Sequence, residues 1–335
     1  MRVLVTGGAG YIGSVVAAQL VVAGHEVVVL DDLSTGHADA VPAGAVFIRG
    51  DLRNDAGRIL ADGFDAVLHF AAKSLVAEST AEPARYWHQN LGGTLALLEA
   101  MRQAQTPSIV FSSTAATYGE PESVPIVETA PPRPTSPYGA SKVAVDTALA
   151  EHARMHGTGA VSLRYFNVAG AHQVTDGSWL GERHAPETHL IPNVLAVALS
   201  EDGQVSIFGD DYATADGTCV RDYIHVSDLA RAHLLALSAC VPGEHQIYNL
   251  GSGTGFSNRE VLAACRDVTG RDIPARMAPR RAGDPAVLIA SSDRIRADLG
   301  WRAGKGLRDM VADAWTFART RPGHGDGRPG TTWHR

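Results

Sequence analysis

The chain has 335 residues, a length that suits one large α/β domain or two closely packed domains. Hydrophobic residues make up 45% of it and charged residues 19%, which excludes a disordered chain and indicates a folded globular protein. The net charge of −7 argues against nucleic acid as a partner, because nucleic-acid-binding proteins usually present a basic face.

Neither a membrane span nor a secretion signal is visible in the sequence. No apolar run reaches the roughly 18 residues that cross a bilayer, and the N-terminus enters a predicted strand at once. The cysteines Cys219, Cys240 and Cys265 are scattered and lack the spacing of metal ligands. We therefore expect a cytoplasmic protein with reduced thiols, no membrane partner and no metal ion.

In the first half of the chain, short β-branched runs alternate with helical patterns. Strands are predicted over residues 2–6, 26–30, 45–49, 66–70, 108–112 and 161–165, and helices over residues 11–23, 83–104 and 138–156, the last with Ser136 as its cap. Continuous apolar strands between helices are typical of a parallel sheet that is covered on both faces. Right-handed crossovers then give an α/β fold of the doubly wound parallel-sheet (Rossmann) type.

The second half of the chain is less regular. Helices are predicted over residues 187–200, 228–239 and 257–269, with Ser227 or Asp228 as the N-cap of the second, and residues 170–186 are expected to form a long loop. We predict a Rossmann domain over residues 1–170, to which segments near 221–250 return, and a smaller mixed α/β substrate domain mainly over residues 171–320. Residues 321–335, rich in Gly, Pro and His, are expected to form a mobile tail.

Three glycines between the first predicted strand and the first helix form the pattern of a dinucleotide-binding turn. Gly7, Gly10 and Gly13 are spaced G-x-x-G-x-x-G, and counted from Gly8 the pattern is also G-x-G-x-x-G. Glycine permits a tight turn and close backbone approach to a pyrophosphate, and the helix N-terminus attracts the phosphates. A glycine-rich turn without a ligand is the alternative, but the flanking strand and helix favour dinucleotide binding.

Carboxylates at the end of the second predicted strand favour NAD over NADP. Asp31 and Asp32 can accept hydrogen bonds from the adenosine ribose hydroxyls, and they would repel a 2′-phosphate. No arginine lies within residues 31–37 to reverse that preference. After the third strand, Asp51 and Leu52 are candidates to hold the adenine ring, and Asp51 can equally cap a helix.

A tyrosine and a lysine share one face at the start of a predicted helix. Tyr138 and Lys142 are four residues apart, so their side chains lie on the same side. A nearby ammonium lowers the pKa of a phenol, and such a tyrosine can act as general base toward a sugar hydroxyl. The preceding strand ends in Ser112, Ser113 and Thr114, whose hydroxyls can bond to the same substrate oxygen. A surface pair and strand-end caps are the alternatives for these residues.

These motifs together resemble the extended short-chain dehydrogenase/reductase superfamily, and within it the UDP-glucose 4-epimerase (UDP-galactose 4-epimerase) family. The resemblance runs from Arg2 to the region of Trp301. Its most specific segment is residues 208–230 (FGDDYATADGTCVRDYIHVSDLA), and further matches are residues 165–167 (YFN), 248–251 (YNLG) and 280–284 (RRAGD).

The resemblance implies a role for each matching residue. Tyr138 matches the catalytic base, Lys142 the partner that also holds the nicotinamide ribose, and Thr114 the assisting hydroxyl. Besides these three, the residues that match or are expected to make NAD contacts are Gly7, Gly10, Tyr11, Ile12, Gly13, Asp31, Asp32, Leu33, Ser34, Thr35, Gly36, Asp51, Leu52, Phe70, Ala71, Ala72, Lys73, Asn90 and Phe166. Besides Thr114 and Tyr138, the residues that match UDP-sugar contacts are Ser74, Asn167, His189, Leu190, Arg221, Arg281 and Asp284.

Two departures from the family pattern leave roles open. Family members often have serine where this chain has Thr114, which keeps the hydroxyl. Some members have lysine where Ser74 aligns, so that role is either lost here or moved to Lys73.

The diphosphate contacts have a structural alternative. Two guanidiniums can clamp a diphosphate through charge-assisted bonds. The alternative is that Arg221 pairs with Asp222, and Arg281 with Asp284, in ion pairs that only stabilise the fold.

The implied activity is the interconversion of UDP-glucose and UDP-galactose by transient oxidation at sugar C4 and return of the hydride to the opposite face, in a homodimer. Leu288 lies near a position that limits pocket size in the family, so UDP-N-acetylglucosamine is the alternative substrate. A 4,6-dehydratase needs an acid–base pair where this chain has Ala115 and Ala116. A UDP-glucuronate epimerase or decarboxylase is not excluded, and a non-catalytic NAD-binding regulatory protein would need neither Tyr138 nor Lys142.

Overall fold

The computed structural model describes residues 1–200, 203–281 and 284–320. Among these residues the strands are β1 (Arg2–Thr6), β2 (Glu26–Asp31), β3 (Ala45–Arg49), β4 (Ala66–His69), β5 (Ser108–Thr114), β6 (Gly159–Tyr165), β7 (Asn167–Ala169), β8 (Ala171–Gln173), β9 (Trp179–Gly181), β10 (Val205–Phe208), β11 (Val220–His225), β12 (His245–Leu250), β13 (Gly255–Ser257), β14 (Ala275–Ala278) and β15 (Val287–Leu288). The α-helices are α1 (Tyr11–Val22), α2 (Leu52–Leu60), α3 (Val76–Ala81), α4 (Pro83–Tyr86), α5 (Gly93–Ala104), α6 (Pro137–His156), α7 (Leu190–Ser200), α8 (Val226–Ser238), α9 (Asn258–Thr269), α10 (Asp293–Leu299) and α11 (Leu307–Thr320). None of these helices combines the length and the apolarity needed to cross a membrane.

Parallel strands form a seven-stranded central sheet in the order β12-β6-β5-β4-β1-β2-β3. Its strands are apolar on both faces, and Val3, Leu4 and Val5 of β1 are fully buried. One face packs against a core that includes α1 and α8, and the other against a core that includes α2, α5 and α6. The predicted doubly wound α/β fold is therefore confirmed.

A smaller mixed region is built around β11. This strand pairs in parallel with β7 and β15 and antiparallel with β13, while β10 pairs with β14. Apolar residues of α7, α9 and α11 form a third core beneath these strands. After β11 the chain returns through α8, which packs on α1, to β12 at the edge of the central sheet. The domain bounds given above stay predictions.

The observed secondary structure differs from the sequence-based prediction at several short elements. Residues 170–186, expected to be a loop, contain an antiparallel hairpin of β8 and β9, whose three-residue strands are too short to show a period. The predicted helix over residues 83–104 is interrupted by a π-helical turn, Trp87–Gly92. Helix α8 begins earlier than predicted. Its N-cap is His225, and not Ser227 or Asp228, because the His225 ring accepts a hydrogen bond from the Ser227 N–H. The expected tail, residues 321–335, lies outside the described residues.

A buried ion pair fixes α6 to the central sheet. Asp146 on α6 lies 2.7 Å from the guanidinium of Arg164 on β6, and neither side chain is more than 6% exposed. Arg164 also donates to the Tyr118 hydroxyl, which donates in turn to the Asn249 side chain. Since these groups have left water, each depends on its partner for compensation.

We expect Arg164→Met to lower the free energy of unfolding by about 3–5 kcal/mol, because it leaves the Asp146 carboxylate buried and unpaired. The double variant Arg164→Met with Asp146→Leu removes both charges and should recover most of that loss. Urea denaturation of the three proteins measures both effects. A double variant as unstable as the single one would show that the loss comes from packing and not from the unpaired charge.

Candidate active site

A cleft of about 510 Å³ runs along the carboxyl ends of the central strands, which is where ligands bind in doubly wound sheets. The predicted site residues that line it are Gly7, Gly10, Tyr11, Ile12, Gly13, Asp31, Asp32, Ser34, Thr35, Asp51, Leu52, Phe70, Ala71, Ala72, Lys73, Ser74, Thr114, Tyr138, Lys142, Phe166, Asn167, His189, Leu190 and Asp284. The predicted site residues that are not part of its wall are Leu33, Gly36, Asn90, Arg221 and Arg281.

The glycine turn brings the start of α1 to the floor of the cleft. Gly7 has φ +72°, and a Cβ there would lie 2.6 Å from the backbone nitrogen of Ala71. A Cβ on Gly13 would collide with the carbonyl oxygen of Gly7. These two steric limits force glycine at both positions and leave the N–H groups of the first helical turn facing the cleft.

The acidic loop after β2 is held by its own carboxylate. Asp31 accepts hydrogen bonds from the N–H groups of Ala9, at 3.0 Å, and Leu33, at 2.8 Å. Burial raises the pKa of Asp31, although these N–H groups oppose the shift. Gly36 packs against the same side chain, since a Cβ there would lie 2.9 Å from an Asp31 oxygen. Leu33 and Gly36 therefore shape the loop, while Asp31 and Asp32 face the cleft.

Asp51 combines the two roles that the sequence left open. Its carboxylate accepts a hydrogen bond from the Arg53 N–H at 2.9 Å, which caps α2. The Arg53 guanidinium lies 2.8 Å from the same carboxylate and lowers its pKa. Asp51 and Leu52 also line the cleft, so the cap and the predicted adenine site coincide.

Asn90 lies behind the cleft wall and is 2% exposed. Its side chain accepts a hydrogen bond from the Lys73 N–H at 2.8 Å and donates to the Lys73 carbonyl at 3.0 Å. Lys73 in turn donates from its ammonium to the Ser34 hydroxyl at 3.2 Å. Asn90 thus fixes the backbone that follows β4, and its predicted contact with the cofactor stays a prediction.

Tyr138, Thr114 and Lys142 meet where the N-terminus of α6 packs against the end of β5. Ser136 caps α6 as predicted, by accepting a hydrogen bond from the Gly139 N–H at 3.2 Å. A Cβ on Gly139 would collide with the backbone at the end of β5, so glycine is what permits this approach.

Thr114, Tyr138 and Lys142 all line the cleft. The Thr114 side chain lies near the Tyr138 hydroxyl and favours its ionised form. The Lys142 ammonium donates to the Ser112 carbonyl at 2.8 Å and lies 5.9 Å from the centroid of the Tyr138 ring. The three side chains are therefore neighbours in the cleft wall.

The electrostatics of this group differ from the prediction. Burial raises the pKa of Tyr138, although Thr114 opposes the shift. Burial lowers the pKa of Lys142 to about 7, although Asp146 opposes that shift. Because the Lys142 ammonium is directed at the Ser112 carbonyl, the lysine alone does not make the phenol acidic. A further cation beside the ring is needed to lower the pKa of Tyr138.

The far end of the cleft carries an ion pair that the sequence did not predict. Arg221 donates to the Asp284 carboxylate at 2.7 Å, and its side chain is 10% exposed. The alternative pairing of Arg221 with Asp222 does not form, because Asp222 accepts hydrogen bonds from Ser252 and Ala290 instead. Arg281 lies over the ring of Phe208, 4.2 Å from its centroid.

A model of the NAD dependent epimerase/dehydratase family matches residues 3–251 of the chain. The chain belongs to this family. It is similar to the UDP-glucose 4-epimerase of Streptomyces lividans, with 57% identity over 96% of this chain and 97% of the relative. That of Corynebacterium glutamicum is 53% identical over 95% of each chain.

Solved structures agree with these relatives. The UDP-glucose 4-epimerase of Bifidobacterium longum, in complex with NAD+ and UDP, has a TM-score of 0.90 and 36% identity and covers 97% of this chain and 100% of its own. That of Brucella ovis, in complex with NAD, has a TM-score of 0.88 and 44% identity and covers 94% of this chain and 98% of its own. The predicted family and the predicted cofactor, NAD, are confirmed.

Sequence reasoning missed several residues that this family member places at the cleft. Tyr165 and Tyr223 line the cleft, and Tyr165 is hydrogen-bonded to Ser112. The position of Tyr165 beside Phe166 in the matched YFN segment was a usable signal. For Tyr223 the signal was its place in the matched segment of residues 208–230, although its position at the cleft depends on the pairing of β11 with β7.

A second missed group lies at the edge of the cleft. Glu182, His184, Glu187 and His189 bring one ligand atom each within 4.8 Å of one another. Burial lowers the pKa of His184, but the two carboxylates outweigh it and raise the pKa to about 10. Only His189 was predicted as a site residue, and no metal ion was expected. The signal was the recurrence of Glu and His within eight residues.

We expect Gly13→Ala to abolish NAD binding, because the new methyl group collides with the Gly7 carbonyl oxygen and distorts the turn. NAD released from the denatured, purified protein is measured by absorbance. The control is Gly57→Ala on α2, where a Cβ meets no atom within 4 Å, and which should keep a full complement of NAD. A Gly13→Ala protein with unchanged NAD content would show that the turn does not hold the cofactor.

Proposed function

We propose that this chain catalyses the NAD-dependent interconversion of UDP-glucose and UDP-galactose. The observation that carries the proposal is that Tyr138, Thr114 and Lys142 lie in the same cleft as the glycine turn. The UDP-glucose 4-epimerases named above match the chain almost from end to end. The residue roles given below are part of the proposal.

The residues of the cleft fit NAD. The backbone of Gly7 and the first turn of α1 present N–H groups to a pyrophosphate. The carboxylates of Asp31 and Asp32 suit ribose hydroxyls and oppose a 2′-phosphate. When bound, NAD supplies reversible acceptance of a hydride from the sugar and a positive charge on its nicotinamide ring.

Tyr138 acts as general base and general acid in turn. Its phenolate takes the proton of the sugar 4′-hydroxyl and later returns it to the same oxygen, after the configuration at C4 has been inverted. Thr114 orients both oxygens through its hydroxyl. Lys142 holds the nicotinamide ribose, and its ammonium adds to the positive charge that favours the phenolate. The cationic nicotinamide ring would thus supply the additional positive charge that the Tyr138 phenolate needs and that Lys142 alone does not provide.

The substrate is held mainly by its nucleotide. Arg221 and Arg281 approach the diphosphate, and Asn167 and Leu190 contact the UDP portion. The hexose is held loosely beside Leu288, because firm contacts would prevent the 4-keto sugar from turning over. Contacts with the distant nucleotide thereby supply the binding energy that keeps C4 of the sugar at the reacting position.

UDP-N-acetylglucosamine is the second candidate substrate. Leu288 lines the cleft, and a leucine there is intermediate in size between residues that close and open a sugar pocket. A solved structure described as a UDP-Glc/GlcNAc 4-epimerase from Campylobacter jejuni has a TM-score of 0.83 and 38% identity and covers 96% of this chain. We propose that turnover of the N-acetylated sugar is weak or absent.

Other reactions on this fold are less consistent with the site. Ala115 and Ala116 line the cleft where a 4,6-dehydratase needs an acid–base pair. A non-catalytic regulatory protein would need neither the buried ammonium of Lys142 nor the hydroxyl of Tyr138. Epimerisation therefore accounts for more of the observed groups than either alternative.

We further propose a homodimer in the cytoplasm. Trp87 and Leu95, near the α4–α5 segment, are 40% and 48% exposed, which supports an apolar contact between two copies. The cysteines Cys219, Cys240 and Cys265 are free, as is usual in a reducing compartment. The N-terminal Rossmann domain and the substrate domain keep the bounds predicted from the sequence.

Tyr138→Phe should lower kcat for UDP-galactose by about 10²–10⁴-fold while NAD stays bound, because only the proton-transferring hydroxyl is lost. NMR of the sugar anomeric signals follows the conversion without added reductant. The control is Tyr212→Phe, since the Tyr212 hydroxyl is buried without a hydrogen-bond partner and lies outside the cleft. If Tyr138→Phe turned over nearly as fast as the unmodified protein, the base would be another group.

Leu288→Ser should raise kcat/KM for UDP-N-acetylglucosamine at least several-fold, because it removes side-chain volume from the pocket. Leu288→Tyr should leave conversion of UDP-galactose measurable and abolish any conversion of the N-acetylated sugar. Coupled assays with both sugars give the ratio for each protein. Strong N-acetyl activity in the unmodified protein, unaffected by either change, would remove Leu288 as the determinant.

A further inference from the structure

We propose that Glu182, His184, Glu187 and His189 bind one zinc ion at the edge of the cleft. Two imidazoles and two carboxylates converge, with one ligand atom of each within 4.8 Å of the others. These four residues come from one segment between β9 and α7, so that no distant part of the chain has to move to close the site.

The imidazole of His184 carries the most direct sign of a missing ligand. Its Nδ1 lies 2.9 Å from the Glu182 carboxylate and 3.8 Å from that of Glu187. The atom is shielded from solvent, yet its alignment with its described neighbours is not that of a hydrogen bond. Nδ1 of His189 approaches the same Glu182 oxygen. Two ring nitrogens therefore converge on one carboxylate oxygen, which brings three candidate ligand atoms together.

The charge of the group also calls for a cation. The side chains of Glu182 and Glu187 are 6% and 16% exposed. The neighbouring guanidinium of Arg183 does not neutralise them, since it pairs with Asp39 at 2.7 Å. The two carboxylates therefore depend on positive charge within the cluster itself. A divalent ion supplies it from a single point and bonds to all four groups at once.

The chemical types of the four ligands favour zinc over calcium and magnesium. Imidazole nitrogens and carboxylate oxygens both bind zinc, whereas calcium and magnesium prefer oxygen ligands alone. One oxygen of Glu187 accepts hydrogen bonds from the N–H groups of Thr188, at 2.7 Å, and His189, at 2.9 Å. These bonds orient the carboxylate toward the other ligands, as supporting contacts commonly do at metal sites.

The site would organise the wall of the cleft. His184 and His189 both line the cleft, and α7 begins at the next residue, Leu190. A bound ion would hold the end of β9 and the start of α7 at a fixed separation. It would act by positioning and would not contact the reacting atoms at Tyr138. The proposal does not depend on the proposed function, because the ion can be measured by binding alone.

Zinc binding is tested on the full chain with its NAD retained, after removal of any affinity tag and dialysis against a chelator. Isothermal titration with ZnCl2 should give one ion per chain with a Kd on the order of 1 μM or tighter, and bound zinc should raise Tm. Elemental analysis after gel filtration should then find about one zinc per chain. Titration with MgCl2 should show no comparable binding.

Two single variants locate the ion. His184→Ala and Glu187→Gln should each weaken zinc binding at least about tenfold, and circular dichroism and NAD content establish that each protein is folded. The matched control is the double variant His152→Ala and His156→Ala on α6, which removes another close pair of rings, 4.8 Å apart, and should keep full affinity.

Several results would overturn the proposal. One is a wild-type protein that binds no zinc at micromolar concentrations or that prefers magnesium. Another is binding that survives in a folded Glu187→Gln protein or is lost only in the α6 control. In those cases the imidazoles and carboxylates form an ion-pair cluster that proton charge alone stabilises.

Discussion

The packing of α6 on the ends of β5 and β6 is the contact on which the rest of the site depends. Three features produce it: the absence of a side chain at Gly139, the bond from the Lys142 ammonium to the Ser112 carbonyl, and the buried pair of Asp146 and Arg164. They act at the start, the second turn and the middle of the helix. Tyr138 is thereby held beside Thr114 in the cleft wall, so that the fold itself sets the position of the proposed base.

This packing also has an electrostatic effect. Burial raises the pKa of Tyr138 and lowers that of Lys142, so both groups are driven toward their neutral forms. A neutral phenol is a poor base. Under the proposed function, the positive charge of the nicotinamide ring would favour the Tyr138 phenolate, and this effect would be lost when the ring is reduced. The proposed base would then respond to the oxidation state of the cofactor, which suits a reaction that runs in both directions.

Much of the fold and part of the site could be predicted from the sequence, because they depend on local rules. A glycine such as Gly13 is dictated by hard steric contact, and the spacing of Tyr138 and Lys142 follows from the helical period. Residues whose roles depend on distant pairing escaped prediction. The hairpin of β8 and β9 was expected to be a loop, the burial of Asn90 behind the cleft wall was not foreseen, and His184 was not named as a site residue.

The pair of Arg221 and Asp284 affects which anions the cleft can retain. The Arg221 guanidinium already pairs with the Asp284 carboxylate. A small anion such as phosphate would have to replace that carboxylate, so its net gain in binding free energy would be small. A larger ligand, anchored at the same time through its base and ribose, can displace the carboxylate and use it for its own hydroxyls. Under the proposed binding mode, the resting ion pair would therefore favour a molecule that engages the cleft at several places, because only such a molecule compensates for the broken pair.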